Sequence, residues 1–178
     1  MNAEQLAAVK ALFARAVELP CAKAELEKSL AARLALYGER HRDVFETETV
    51  LAECDWHRND FAGTRARLDR IAGLAPDMPE SMQWQFDRQR AMAGALPGGV
   101  AGAAKALAEV DHKIAAAGRL PRSVWWTQVY RAELLVTRGD DAEKAEGRAL
   151  ARQILAGLTP LVVPRSQILT RLRRLAQE

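Results

Sequence analysis

Helix-length segments of this chain recur in pairs, each closed by proline or glycine, at a step of about 40 residues, the period of stacked helical hairpins. The clearest pair is His41–Pro76, reading HRDVFETETVLAECDWHRNDFAGTRARLDRIAGLAP. It holds two amphipathic stretches, a polar turn at Arg58-Asn59-Asp60 and a terminating proline. Overlaid on their inter-helix turns, four pairs start at Ala3, Phe45, Trp84 and Trp125. Unrelated helices have no reason to keep such a step, so the pattern favours stacked hairpins over a simple bundle.

The hairpins are expected over 3–37, 43–74, 79–117 and 122–157, with a further helix over 165–176, all within a single domain over 1–178. The first helix, over 3–18, carries Leu6, Val9, Phe13 and Val17 on one stripe and stops at Pro20. Gly38 should close the second, and Asp43 with Glu46 reads as a capping box opening the third. Leu96-Pro97-Gly98-Gly99 should break the chain between the fifth and sixth, and Ser123 should cap the seventh. In the last helix Ile168, Leu169, Leu172 and Leu175 share a side, as a helix covering the end of a repeat array would need.

Hydrophobic residues make up 49% of the 178-residue chain but aromatics only 6%, so alanine and leucine must do most of the packing. The one β-branched run, Leu161-Val162-Val163, stands between Pro160 and Pro164. An all-α protein is expected. The net charge of +3 is too small to mark a nucleic-acid footprint by itself. Cys21 and Cys54 sit among apolar helical neighbours, which reads as buried thiols in a reducing compartment. Glu4, Lys10 and Arg15 interrupt the N-terminal stretch, so neither a signal peptide nor a membrane span is expected there, and the chain reads as cytoplasmic.

Small residues recur at Ala52, Ala91 and Ala132, where two helices of a hairpin would approach closely. Ala22, Thr64 and Ala103 recur early in the second helix of each pair, and a one-residue shift puts Ala145 there in the last. Asn59, Gly98 and Gly139 recur at the turn, where a left-handed backbone is cheap for Gly or Asn. This pattern resembles the tetratricopeptide repeat. The second pair is similar to the longer kinesin-light-chain type through Gly38, His41, Asp43, Leu51-Ala52, Asn59-Asp60-Phe61 and Pro76. Asp55 stands where that family usually has an aromatic, Thr64 where it has alanine, and Arg90 and Arg131 where it has leucine.

The resemblance implies a right-handed α-solenoid of about four hairpins plus a C-terminal capping helix. It also implies a non-enzymatic scaffold whose first helices line a concave groove for a peptide, a helix or a partner domain. Carried over position by position, the groove residues are Glu46, Thr49, Glu53 and Trp56, then Gln85, Arg88 and Met92, then Trp126, Val129 and Glu133. Trp125 and Trp126 point about 100 degrees apart on a helix, so Trp125 is expected inward and Trp126 in the groove. Such arrays also serve secretion and kinase systems as chaperones or regulators, which is the alternative within binding proteins.

Other chemistries find less support. His41, His57 and His112 form no metal-ligand spacing with each other or with a cysteine, and no cofactor is expected. Cys54 and His57 lie one turn apart, but no orienting group or anion pocket marks a nucleophile, so no enzyme is expected. Asp140, Asp141 and Glu143 read as a helix start rather than a calcium loop. Arg171, Arg173 and Arg174 on the last helix would suit phosphate, so nucleic-acid binding is the alternative from a different class.

Overall fold

A computed structural model of the chain describes residues 22–118, 121–163 and 166–177. The helix expected over 3–18, and Cys21 with it, lie outside the described residues. Among the described residues the chain is helical throughout, with no strand. The helices are α1 (Lys23–Tyr37), α2 (Arg42–His57), α3 (Phe61–Ile71), α4 (Glu80–Ala93), α5 (Ala95–Ala116), α6 (Pro121–Arg138), α7 (Asp141–Leu158) and α8 (Gln167–Gln177). They form two compact units that divide between Ala93 and Gly94. That division falls within the hairpin expected over 79–117, leaving one of its helices in each unit.

In the first unit α2 is the central element, packed against α1, α3 and α4. Its sequence supplies three stripes at seven-residue spacing, close to two helical turns. Val44 and Leu51 join Leu26 and Leu30 of α1 in one apolar cluster. Phe45 and Ala52 join Leu68, Ile71 and Phe86 in a second. Glu48 and Asp55 make the third stripe, and they too are buried. A helix covered on several sides is ordinarily apolar all round. Here a charged stripe runs through the interior, and it must be neutralised.

The turns follow local chemistry. Gly38 closes α1 at φ 77, its N–H donating to Leu34 O at 3.0 Å. His41, not Asp43, caps α2: its Nδ1 accepts from the Asp43 N–H at 3.2 Å, and its ring stacks on Tyr37 at 4.2 Å. Stacking fixes the imidazole where the cap needs it. Asn59 takes φ 63, and Asp60 caps α3 by accepting from the Gly63 N–H at 2.9 Å. After Ile71 the chain tightens into a 3-10 turn, Ala72–Asp77, because Pro76 offers no N–H and disfavours a helical residue before it.

In the second unit α6 packs against α5, α7 and α8, and α7 against α8. Within α5 the helix breaks at Gly99 (φ 72, ψ 172), one residue later than the Gly98 expected at the turn. Helix α6 begins at Pro121, which puts Ser123 inside it rather than at its cap, and the fixed φ of proline suits a first helical position. Gly139 does not use a left-handed backbone. The turn is instead secured by a capping box, Glu143 N–H to Asp140 Oδ1 at 2.9 Å and Asp140 N–H to Glu143 Oε2 at 2.8 Å.

The close approach of α6 and α7 is made by Gly147. A Cβ there would lie 2.8 Å from Leu135 Cβ and 3.0 Å from Ala132 O. Ala132, expected at the close approach, is on the facing side of it, whereas Ala145, expected at the recurring position early in the second helix, is exposed. Helix α8 buries Ile168, Leu169, Leu172 and Leu175 against Val129, Ala151, Ile154 and Leu158. The apolar stripe read from the last segment therefore covers the preceding helices.

Candidate functional site

The buried carboxylates of α2 organise the charge of the first unit. Asp55 is 1% exposed and Glu48 2%. Asp55 Oδ1 accepts from Lys23 Nζ at 2.6 Å, and Asp55 Oδ2 from Arg67 Nε at 2.7 Å. Arg67 also donates to Glu48 Oε2 at 3.0 Å, and Arg70 to Glu48 Oε1 at 2.6 Å. On the outer edge Glu27 Oε1 accepts from Arg67 at 3.1 Å. Three helices thus contribute equal numbers of cations and anions to one network. Burial pulls the Arg67 guanidinium down, but its bonds to Asp55 and Glu48 outweigh this and raise it. Every charged group in this network is occupied by another, which makes it a lock between helices rather than a receptor for a ligand.

A second buried cation, Arg33 of α1, donates to Asp43 O at 2.8 Å, to Thr47 Oγ1 at 2.7 Å and to Glu46 Oε2 at 3.4 Å. Burial pushes the Glu46 carboxyl above the usual carboxylate range, against the pull of Arg33.

The expected groove residues divide between the two units. In the first, Glu46 faces Arg33, and Glu53 accepts from Gln89 Nε2 at 3.2 Å while lying 3.7 Å from His57. Thr49 is buried, its hydroxyl donating to Phe45 O at 2.8 Å. Trp56 is buried edge-on to Phe61 at 5.2 Å. Met92 and Arg88 are buried and Gln85 is half-buried. Thr49, Trp56, Arg88 and Met92 therefore offer no open surface, because α2 and α4 pack against each other and against α3.

In the second unit Val129 lies in the core. Glu133 is bound by Arg171 and lies 3.6 Å from Arg174. Arg171 also sits over the Tyr130 ring at 4.9 Å from its centroid. Arg171 and Arg174 thus hold α8 to α6.

The tryptophans do not divide as expected. Trp125 and Trp126 are both half-buried, and both pack against the core that α6, α7 and α8 share. Trp126 lies 6.2 Å from Tyr130. Trp125, expected inward, is a wall of a pocket of about 200 Å³ between α6 and α7, lined also by Gln128, Leu150, Gln153 and Gly157. The reason is that α6 has neighbours on several sides, so directions 100 degrees apart both meet protein. Beyond α7, Leu161 and Val163 are 66% and 71% exposed. In the sequence this turn stands out only as a β-branched run cut by Pro160 and Pro164. The apolar run between two prolines was the signal, since such a run must be covered or exposed.

Among the described residues no group of three His, Cys, Asp or Glu is arranged to hold a metal ion. None of the described helices is long and apolar enough to cross a membrane. Cys54 is buried in the α1–α2 apolar cluster. Compared with protein-family models, curated proteins and solved structures, the chain matches none.

Proposed function

We propose that this chain is a non-enzymatic protein-interaction module built from helical hairpins of the tetratricopeptide-like kind, working in a reducing, cytoplasmic setting. The observation that carries this is the apolar surface left at one end of the second unit. There the half-buried Trp125 walls an open pocket, and Leu161 and Val163 stand in solvent on the adjacent turn. Exposed apolar side chains on a turn beside a cleft walled by a half-buried aromatic are features that interaction sites present, and aromatic anchors dominate their energetics. The docking surface this reading favours is therefore the Trp125 pocket rather than the row of residues expected along the first helices.

The Arg-rich last helix gives weaker support to nucleic-acid binding, because Arg171 and Arg174 are engaged with Glu133. The test uses the full chain as bait in nuclease-treated native lysate. A partner held by the wild type and released by Leu161→Glu, with the helical circular dichroism unchanged, supports the reading. Retention that disappears with nuclease, or that ignores the substitution, overturns it.

A further inference from the structure

We propose that His41 is a pH-sensitive cap, a built-in switch in which protonation of its imidazole takes the cap off the first turn of α2.

The cap requires one protonation state. Nδ1 of His41 accepts from the Asp43 N–H at 3.2 Å, so it must keep its lone pair and the ring proton must sit on Nε2. A protonated imidazole is a donor at both nitrogens and has nothing left to accept with. Imidazole is also the side chain whose charge ordinarily changes between about pH 5 and pH 8. Helices α3 and α7 are capped instead by Asp60 and Asp140, whose carboxylate oxygens go on accepting through that range. Histidine in this place makes the start of α2 conditional where those two are constant.

The ring is both anchored and reachable. It stacks on Tyr37 at 4.2 Å with 21° between the planes, which joins the cap to the last turn of α1. Yet 37% of the side chain is exposed, so water can deliver a proton.

The charges around the ring come from both helices and the turn between them. On α2, Asp43 Oδ1 lies 3.9 Å from Nδ1, and Arg42 Nε lies 3.5 Å from the same oxygen. On α1, Arg33 donates to Asp43 O and pairs with Glu46. In the turn, Glu39 is exposed and Arg40 pairs with Asp77 at 3.4 Å. The imidazolium therefore finds a carboxylate beside the amide it has lost, and moving toward Asp43 Oδ1 takes the ring off that N–H. A cation at this end of α2 also opposes the helix dipole.

The change stays local. Val44 N–H and Phe45 N–H keep His41 O at 3.0 and 3.1 Å, and Arg33 keeps Asp43 O and Thr47 Oγ1. None of these bonds uses the ring. Acid thus frees the first turn of α2 while the α1–α2 packing holds.

Nuclear magnetic resonance of the full chain, from about pH 8 down to about pH 5, tests this. At the upper end the nitrogen signal of His41 Nδ1 should be that of an unprotonated atom, with the proton on Nε2. As Nδ1 takes up its proton, protection of the Asp43 amide against hydrogen exchange, corrected for the intrinsic rate, should fall roughly threefold or more with the same midpoint. The Gly63 and Glu143 amides, capped by Asp60 and Asp140, should show no such step. His41→Asn supplies an accepting oxygen that does not titrate, and should hold the Asp43 amide constant. A neutral His41 with its proton on Nδ1 overturns the proposal, as does an Asp43 amide that ignores the titration of the ring. An equal step in His41→Asn also overturns it, and assigns the change to the Asp43 or Glu46 carboxylate.

Discussion

Arg67 reaches across from α3 to place its Nε 2.7 Å from Asp55 Oδ2, beside a carboxylate that is 1% exposed on the central helix of its unit. The same guanidinium bonds Glu48, so one side chain bridges two buried anions. Such networks add little net stability as a whole, but removing the shared partner strips a charge-assisted bond from each of two buried carboxylates, leaving Asp55 with Lys23 alone and Glu48 with Arg70 alone. Arg67→Leu should therefore cost about 3–5 kcal/mol. Arg70→Ala should cost about 1 kcal/mol or less, because Arg70 is 61% exposed and Glu48 keeps Arg67. Urea denaturation of the two variants checks the contrast. Equal losses would mean that the network does not centre on Arg67.

The Glu46 carboxyl supplies a pH test in the same unit. Burial raises its folded pKa above the unfolded value, so between those values the native state binds more protons than the unfolded one. Stability from this group is therefore greatest at low pH and is lost as pH rises through the raised value. In Glu46→Gln that dependence is absent. Melting temperatures of both proteins, followed downward from neutral pH into the carboxylate range, should show the wild type gaining on the variant. A constant difference would place Glu46 in a more solvated position.

Helix α7 offers one substitution with two signs. Gly147→Ala puts a Cβ 2.8 Å from Leu135 Cβ and 2.9 Å from Val136 Cγ2, inside the α6–α7 contact. Overpacking of this kind costs roughly 1–3 kcal/mol, more than the gain in helix propensity returns. Gly157→Ala meets nothing within 4 Å and should be neutral or stabilising by about half a kcal/mol near the helix end. Thermal melts of both variants decide it, and a stabilising Gly147→Ala would mean that the two helices are further apart than described.

Much of the helical layout was legible because prolines, glycines and apolar stripes act locally. Tyr37–Gly38, Asp60 and the Asp140–Glu143 box end or start helices through groups one to four residues away. The stripe Ile168, Leu169, Leu172 and Leu175 could be read for the same reason. What escaped the sequence depended on partners distant in the chain. Asp55 was noticed only as a departure from the aromatic of a similar repeat. Its burial makes sense once Lys23 and Arg67, 32 and 12 residues away, are placed beside it. The seven-residue spacing of Glu48 and Asp55, parallel to Val44–Leu51 and Phe45–Ala52, was the available clue. Gly147 was missed because an overlay on turns fixes a register near the turn, whereas the closest helix approach lies further along.

The adjacent tryptophans give the last test, because their side chains were expected to part company and do not. Both are half-buried against one core, so neither truncation removes a fully enclosed ring. Trp125→Ala and Trp126→Ala should each cost about 2 kcal/mol, below the 3–5 kcal/mol typical of a fully buried aromatic. Iodide should quench both rings in part, and deleting either should lower the quenched fraction by a similar amount. Function should separate them where stability does not. Trp125 walls the pocket and Trp126 lies against Tyr130, so Trp125→Ala should weaken docking at the pocket by roughly 2 kcal/mol or more and Trp126→Ala by much less. Binding lost with Trp126 and retained without Trp125 would return the contact to the face first expected from the repeat, and would remove the pocket from consideration.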